Sequence, residues 1–252
     1  MSQYLAKCQL IICPSPSIRD LIDSYGVETR VETLPNAIDL EKFSHPQAPE
    51  RPLRDTLGIA PQALVSLSVG RLAYEKGLPF LLKAFAATET DPEHHLVLVG
   101  SGPQELELRQ LASELNIGSR VHFLGPVSYR DMSTLYNQAD LFVICSTTEV
   151  KPLVVLEALA SGLAILAVSA CGTKDTLTHG VDGCLCELNH EAYVSNWNTL
   201  LRQPEFRTEL GQRARATAEP YSIDSYLDRL CELYRDVLDR FPHRKFPQTE
   251  TG

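Results

Sequence analysis

TTEVKPLVVLEALASG, residues Thr147 to Gly162, places two glutamates, Glu149 and Glu157, eight positions apart around the start of a helix. An apolar run of strand length, Leu141 to Cys145, precedes it, and another, Leu163 to Val168, follows. Pro152 suits the first turn of a helix, where no backbone donor is missed, and Gly162 suits the position just past its end. Strand, loop, short helix, strand is one crossover of a parallel sheet.

In that geometry the loop carrying Glu149 lies at the carboxyl end of a strand, where open α/β sheets bind ligands. The next helix aims its free N–H groups at the same place and favours an anion such as a phosphate. Glu157 falls about one turn inside that helix, where a carboxylate can accept two hydrogen bonds from the vicinal diol of a ribose. Glu149, in the loop, can accept from the hydroxyls of a more distal group. The spacing therefore suits a sugar–phosphate–ribose ligand lying over the helix end. Taken singly, either glutamate also reads as a solvated surface residue. Glu157 differs because Val154, Val155, Leu156, Ala158, Leu159 and Ala160 make its helix apolar nearly all round. A carboxylate there needs a partner.

Outward from this stretch, the alternation of strand and helix patterns continues. ALVSLSV from Ala63, HLVLVG to Gly100 and RVHFLG to Gly125 read as strands, with helices predicted over 77–88, 103–115 and up to Gln138. Cys171 to Asp175 is predicted to lead a short helix, and GVDGCLC to form a turn and strand. The pattern predicts a doubly wound parallel α/β sheet. Ahead of it, CQLIIC (Cys8 to Cys13) and Arg30 to Leu34 read as strands flanking a helix capped by Ser15 with Pro16 first. Two strands are too few to bury a core of their own. Residues 44–62 carry four prolines and read as a linker around a helix ending at Gly58. The last sixty residues read as mostly helical; Tyr226, Leu230, Tyr234 and Val237 share a face, and the tail from Phe241 is predicted to fray. The division expected is 1–45, 46–220 as the ligand-binding domain, and 221–252 as a return helix and tail.

Two cations fall where an anion would lie. Arg71 follows the ALVSLSV strand, and Lys76 precedes the helix opened by Gly77. An Arg fork plus a Lys point charge suits a diphosphate, although both residues also fit a solvated loop. Ser101-Gly102-Pro103 follows the next strand; Gly102 is expected to serve a tight turn. His95, His122 and His179 stand apart in sequence and read as structural. A nicotinamide-type fold is disfavoured, because no strand is followed by G-x-G-x-x-G.

Composition narrows the rest. At 44% hydrophobic and 22% charged the chain is an ordinary globular sequence. A net charge of −9 argues against nucleic acid or an anionic membrane surface as partner. The odd count of seven cysteines, with no zinc spacing, and a start without an apolar leader predict a reducing compartment, the cytoplasm. No stretch reads as an integral membrane segment.

LSVGRLAYEKG, LVLVGSGP, VHFLG, ADLFV, E-x(7)-E and HGVDG occur in this order. The set resembles the retaining glycosyltransferases of family 4, which have the GT-B fold, over roughly residues 8–240. The resemblance implies a C-terminal GT-B domain that binds a nucleotide-diphosphate sugar, with a remnant of the N-terminal domain. It implies that Arg71 and Lys76 hold the diphosphate, Glu157 the ribose and Glu149 the sugar. Gly102 and the helix start Pro152-Leu153-Val154 are counted with them as donor-binding, and Glu149, Arg71 and Lys76 as catalytic. It further implies retention of anomeric configuration, no metal and no cofactor beyond the donor. This chain departs from the family in Pro35-Asn36-Ala37, Val150-Lys151 and Cys171-Gly172 with Asp175. The acceptor-holding first domain has almost no counterpart, so a second chain supplying it is an expected partner. A donor-binding module that does not itself transfer sugar is the alternative reading.

Overall fold

Six apolar segments become six parallel strands in the computed structural model, which describes residues 2–49, 51–90 and 93–241. The first strands stand apart. Helix α1 (Ser2–Leu5) precedes β1 (Ile11–Cys13), followed by α2 (Pro16–Asp23) and β2 (Val31–Thr33). β1 and β2 form a separate parallel pair around Ile11, Cys13 and Val31. The predicted cap holds: the Ser15 side chain accepts from the amide of Ile18, with Pro16 opening α2. Helices α3 (Leu40–Ser44) and α4 (Leu53–Leu57) lead to the main sheet, and α4 ends on Gly58 in the left-handed region, as predicted.

The main sheet then winds outward. β3 (Leu64–Val69), α5 (Leu78–Ala86), β4 (His94–Val99), α6 (Glu105–Glu114) and β5 (Val121–Gly125) run toward one edge. After α7 (Tyr129–Tyr136) the chain returns beside β3 as β6 (Leu141–Ile144). It continues through α8 (Leu153–Ala160), β7 (Ala164–Val168), α9 (Cys171–Lys174) and β8 (Cys184–Cys186) to the other edge. The order is β5-β4-β3-β6-β7-β8, all parallel. The winding direction reverses between β3 and β6, which makes their carboxyl ends the topological switch point. α10 (His190–Arg202), α11 (Pro204–Ala218) and α12 (Ile223–Arg240) close the chain.

Separate apolar cores fill the two faces of the sheet. Leu67, Leu96, Phe142 and Ile165 are fully buried, each contributing about 1.5–3 kcal/mol by leaving water. This burial on both sides is why the strands read as unbroken apolar runs.

Several boundaries and faces differ from the sequence reading. α6 starts at Glu105 rather than Pro103, because a turn through Pro103 and Gln104 precedes it. Cys171–Lys174 is itself the short helix rather than its leader. On α12 Tyr226, Leu230 and Val237 lie on the half-buried face as predicted, but the stripe takes Leu233, which is buried, rather than Tyr234, which is 62% exposed. His95 and His122 are not apart: adjacent strands put Nδ1 of one 3.0 Å from Nε2 of the other. The tail predicted to fray lies, beyond Phe241, outside the described residues.

Candidate functional site

The reversal between β3 and β6 brings together residues far apart in sequence. The loop after β3 carries Arg71 and, in a short 3-10 turn over Tyr74–Lys76, Lys76. The loop after β6 carries Glu149. Lys76 Nζ lies 2.5 Å from Glu149 Oε1, as an ion pair. The hydroxyl of Ser146 donates to the carbonyl of Glu75 at 3.1 Å and ties the two loops together. Arg71, Lys76 and Glu149 line one cleft with Ser68, Gly70 and Ser146. Arg71 is exposed, and among the described residues no protein acceptor meets its guanidinium. The cleft thus has one cation open and one held by a carboxylate.

Close backbone approach makes this rim. A Cβ on Gly102 would stand 2.3 Å from the carbonyl oxygen of Leu72. Gly102 opens the turn through Pro103 and Gln104, its carbonyl accepting from the Glu105 amide at 3.2 Å, as the sequence reading expects, and its missing Cβ also lets two loops touch. Likewise a Cβ on Gly172 would meet the carbonyl oxygen of Glu149 at 2.6 Å, and the Gly172 amide donates to that oxygen at 2.8 Å. The Glu149 loop is thereby pinned on α9.

Pro152 is the residue before α8 rather than its first helical residue. No side chain caps this end, so the helix start at Leu153 and Val154 keeps unsatisfied backbone donors and the positive end of its dipole. Leu153 is exposed, Val154 half-buried and Pro152 buried. Gly162, at φ 72°, follows the C-cap Ser161, as the sequence requires.

Glu157 is buried, and its partner is Tyr136, at the end of α7, whose hydroxyl donates to Oε2 at 2.8 Å. Burial raises the Glu157 carboxyl above its usual range, against the lowering effects of the Tyr136 hydrogen bond and of Lys42. Burial, then Glu157 itself, holds the Tyr136 hydroxyl well above its ordinary value. Glu157 and Gly102 do not line the Arg71–Lys76–Glu149 cleft. Sequence reasoning foresaw that Glu157 needs a partner but not which; Tyr136, beside Met132 and Leu135 on the buried side of α7, was the available signal.

Reasoning from sequence also passed over Lys151 except as a departure. It is 6% exposed, its ammonium donates to the Asp175 carbonyl at 3.3 Å and the Tyr221 hydroxyl at 3.2 Å, and burial pushes its pKa down to about 8. All seven cysteines are free thiols. Among the described residues no group of three or more His, Cys, Asp and Glu side chains is placed to hold a metal ion. No helix there is long and apolar enough to cross a membrane.

Residues 50–217 match the family described as glycosyl transferases group 1. Over 248 residues the chain is 31% identical to the alpha-monoglucosyldiacylglycerol synthase of Streptococcus pneumoniae, covering 94% of this chain and 55% of that protein. It is 30% identical to the D-inositol 3-phosphate glycosyltransferase of Corynebacterium glutamicum over 240 residues, covering 91% and 57%. Among solved structures, sucrose-phosphate synthase from Thermosynechococcus elongatus superposes with a TM-score of 0.81 at 25% identity, over 95% of this chain and 61% of that one. Anabaena HepE in complex with UDP-glucose superposes with a TM-score of 0.79 at 25% identity, over 91% and 64%. The chain thus spans little more than half the length of the curated relatives.

Proposed function

The chain belongs to the group 1 glycosyl transferases, and on that footing we propose that it binds a nucleotide-diphosphate sugar at the β3–β6 switch point and takes part in retaining transfer of the sugar to an acceptor. The carrying observation is the cleft where Arg71, Lys76 and Glu149 meet beside the uncapped start of α8. In this reading Arg71, Lys76 and the α8 amides of Leu153 and Val154 hold the diphosphate. They stabilise charge that develops on it as the sugar leaves, which is electrostatic catalysis. Glu157, already oriented by Tyr136, accepts from the ribose hydroxyls, and Glu149 accepts from the sugar. Glu149 must leave Lys76 to do so. No metal or further cofactor is needed, because the fixed cations and the helix dipole carry the leaving-group charge. The setting proposed is the cytoplasm.

A second reading is a donor-binding module that depends on another chain for its acceptor lobe. Thermal shift with UDP, GDP, ADP and TDP sugars tests donor binding, with Glu157→Ala and Arg71→Ala as controls. A ligand at ~100 times its dissociation constant adds ~2.7 kcal/mol of stability. A shift with one nucleotide, lost in both variants, supports the site. No shift with any nucleotide from a folded sample refutes it. Transfer assays with and without a co-purified partner separate the two readings.

A further inference from the structure

Two residues past Glu149, Lys151 is buried, and among the described residues no carboxylate lies within ion-pair distance of its ammonium. Its ammonium meets the Asp175 carbonyl and the Tyr221 hydroxyl and lies 4.5 Å from the centre of the Tyr221 ring. The Asp175 carboxylate is taken instead by Ser17 of α2, whose amide and hydroxyl donate to it at 3.1 and 2.9 Å. The Lys151 carbonyl accepts from Asn36 Nδ2 at 3.2 Å. Tyr221 is itself fixed, since its carbonyl accepts from the amide of Ile38 at 2.8 Å. Every one of these contacts comes from outside the six-stranded sheet: the N-terminal segment, α9 and the turn before α12.

Burying an ammonium against neutral acceptors is costly, and an apolar side chain of the same length would pack there without that cost. A cation kept at such a place, two residues from a candidate ligand-binding carboxylate, points to a use for the charge. We infer that Lys151 is a positioning residue for Glu149: its ammonium ties the Glu149 loop to Asp175 and Tyr221, and so sets where that carboxylate meets the sugar of a bound nucleotide sugar. This role rests on the donor site proposed above. It also makes the sugar-end contact follow the charge of Lys151. The charged and titratable groups facing that ammonium are Asp175 and Tyr221, with Asp182 acting on Tyr221. Burial raises the Tyr221 hydroxyl, so it stays protonated while Lys151, pushed down to about 8, titrates.

The test compares UDP with UDP-glucose by calorimetry on the full chain, in wild type, Lys151→Met, Lys151→Arg, Glu149→Ala and the double variant Lys151→Met/Glu149→Ala. The readout is the ratio by which UDP-glucose binds more tightly than UDP. Lys151→Met is expected to lower that ratio about five-fold, to change UDP affinity less than about two-fold, and to leave the unfolding midpoint no lower than wild type. Lys151→Arg restores most of the ratio, and the double variant loses no more than Glu149→Ala alone. In wild type the ratio falls between about pH 7 and about pH 9, and in Lys151→Met it does not. A ratio unchanged in Lys151→Met and flat with pH in wild type overturns the role of Lys151. So do losses that add in the double variant. The comparison is repeated with GDP, ADP and TDP and their sugars; if wild type prefers no nucleotide sugar over its bare nucleotide, or Glu149→Ala leaves the preference intact, the donor-site reading itself fails and takes the role of Lys151 with it. Loss in Glu149→Ala but not in Lys151→Met removes only the latter.

Discussion

Replacing Glu149 with glutamine is expected to tighten the binding of bare UDP while erasing most of the extra hold on a sugar attached to it. The reason lies in the Lys76–Glu149 pair, 2.5 Å apart, with side chains 27% and 17% exposed. At an effective dielectric near 20, two unit charges about 4 Å apart attract by ~4 kcal/mol. Residual solvent and the desolvation of both groups bring the net value toward about 1–1.5 kcal/mol. A diphosphate has to take Lys76 from Glu149 and then lie beside the displaced carboxylate. Glutamine removes both the competition and the repulsion, so UDP should bind about 5–12-fold more tightly, at 1.4 kcal/mol per tenfold. A sugar hydroxyl donating to a neutral amide instead of a carboxylate loses about 1 kcal/mol. UDP-glucose should therefore bind with affinity near that of wild type, and its advantage over UDP should shrink about five-fold. Calorimetry at low salt measures both, with an unfolding curve to show that the variant is intact. If UDP binds the folded variant no more tightly than wild type, the pair does not guard the cation and the reasoning fails.

Tyr136→Phe should cost about 1–3 kcal/mol in chemical denaturation, because it strands the buried Glu157 carboxylate; an unchanged midpoint would show that Glu157 has another partner. His94 is fully buried against Ser66, and burial holds its pKa at about 3 against an ordinary 6.5. The unfolded chain takes up a proton below 6.5 that the folded one refuses, so this residue's contribution is present above that pH and is lost as pH falls toward 3. Stability should drop by up to ~1.4 kcal/mol per pH unit across that window, and His94→Gln should flatten the profile; parallel profiles for the two proteins would contradict it. Gly102→Ala should unfold the protein more easily and abolish nucleotide binding, since its Cβ would stand 2.3 Å from the Leu72 carbonyl oxygen. Gly118→Ala, with nothing within 4 Å of the new Cβ, should be neutral, and equal midpoints for the two variants would refute the close-approach argument.

The crossover at Thr147–Gly162 was readable because strand and helix periods differ and because Pro152 and Gly162 punctuate the helix ends. The parallel sheet followed from repeating that unit. The pairing of Lys76 with Glu149 was not readable, because it depends on β3 and β6 becoming neighbours, a non-local choice. Tyr136 was missed for a related reason: apolar periodicity says which face is buried, not where a hydroxyl points. On α12 only one member of the predicted stripe was misjudged, since Leu233 and Tyr234 continue a stripe through Tyr226 and Leu230 almost equally well. His95 and His122, 27 positions apart, meet diagonally because β4 and β5 pair with His122 opposite Val97, two residues along from His95 on the same face. The turn at Gly102 was readable, but sequence shows only that a Cβ is missing, not which carbonyl needs the room. Lys151 was visible only as an odd residue at its position; the hub it joins is assembled from four separate parts of the chain.

The central claim is that a nucleotide sugar sits at the β3–β6 switch point with its diphosphate over the start of α8. A crystal structure of the chain with UDP-glucose tests this most directly. The account predicts the diphosphate on Arg71, Lys76 and the amides of Leu153 and Val154, the ribose hydroxyls on Glu157, and Glu149 turned from Lys76 to the sugar. A nucleotide bound elsewhere on the protein, or one bound here with Lys76 and Glu149 still paired, would contradict it.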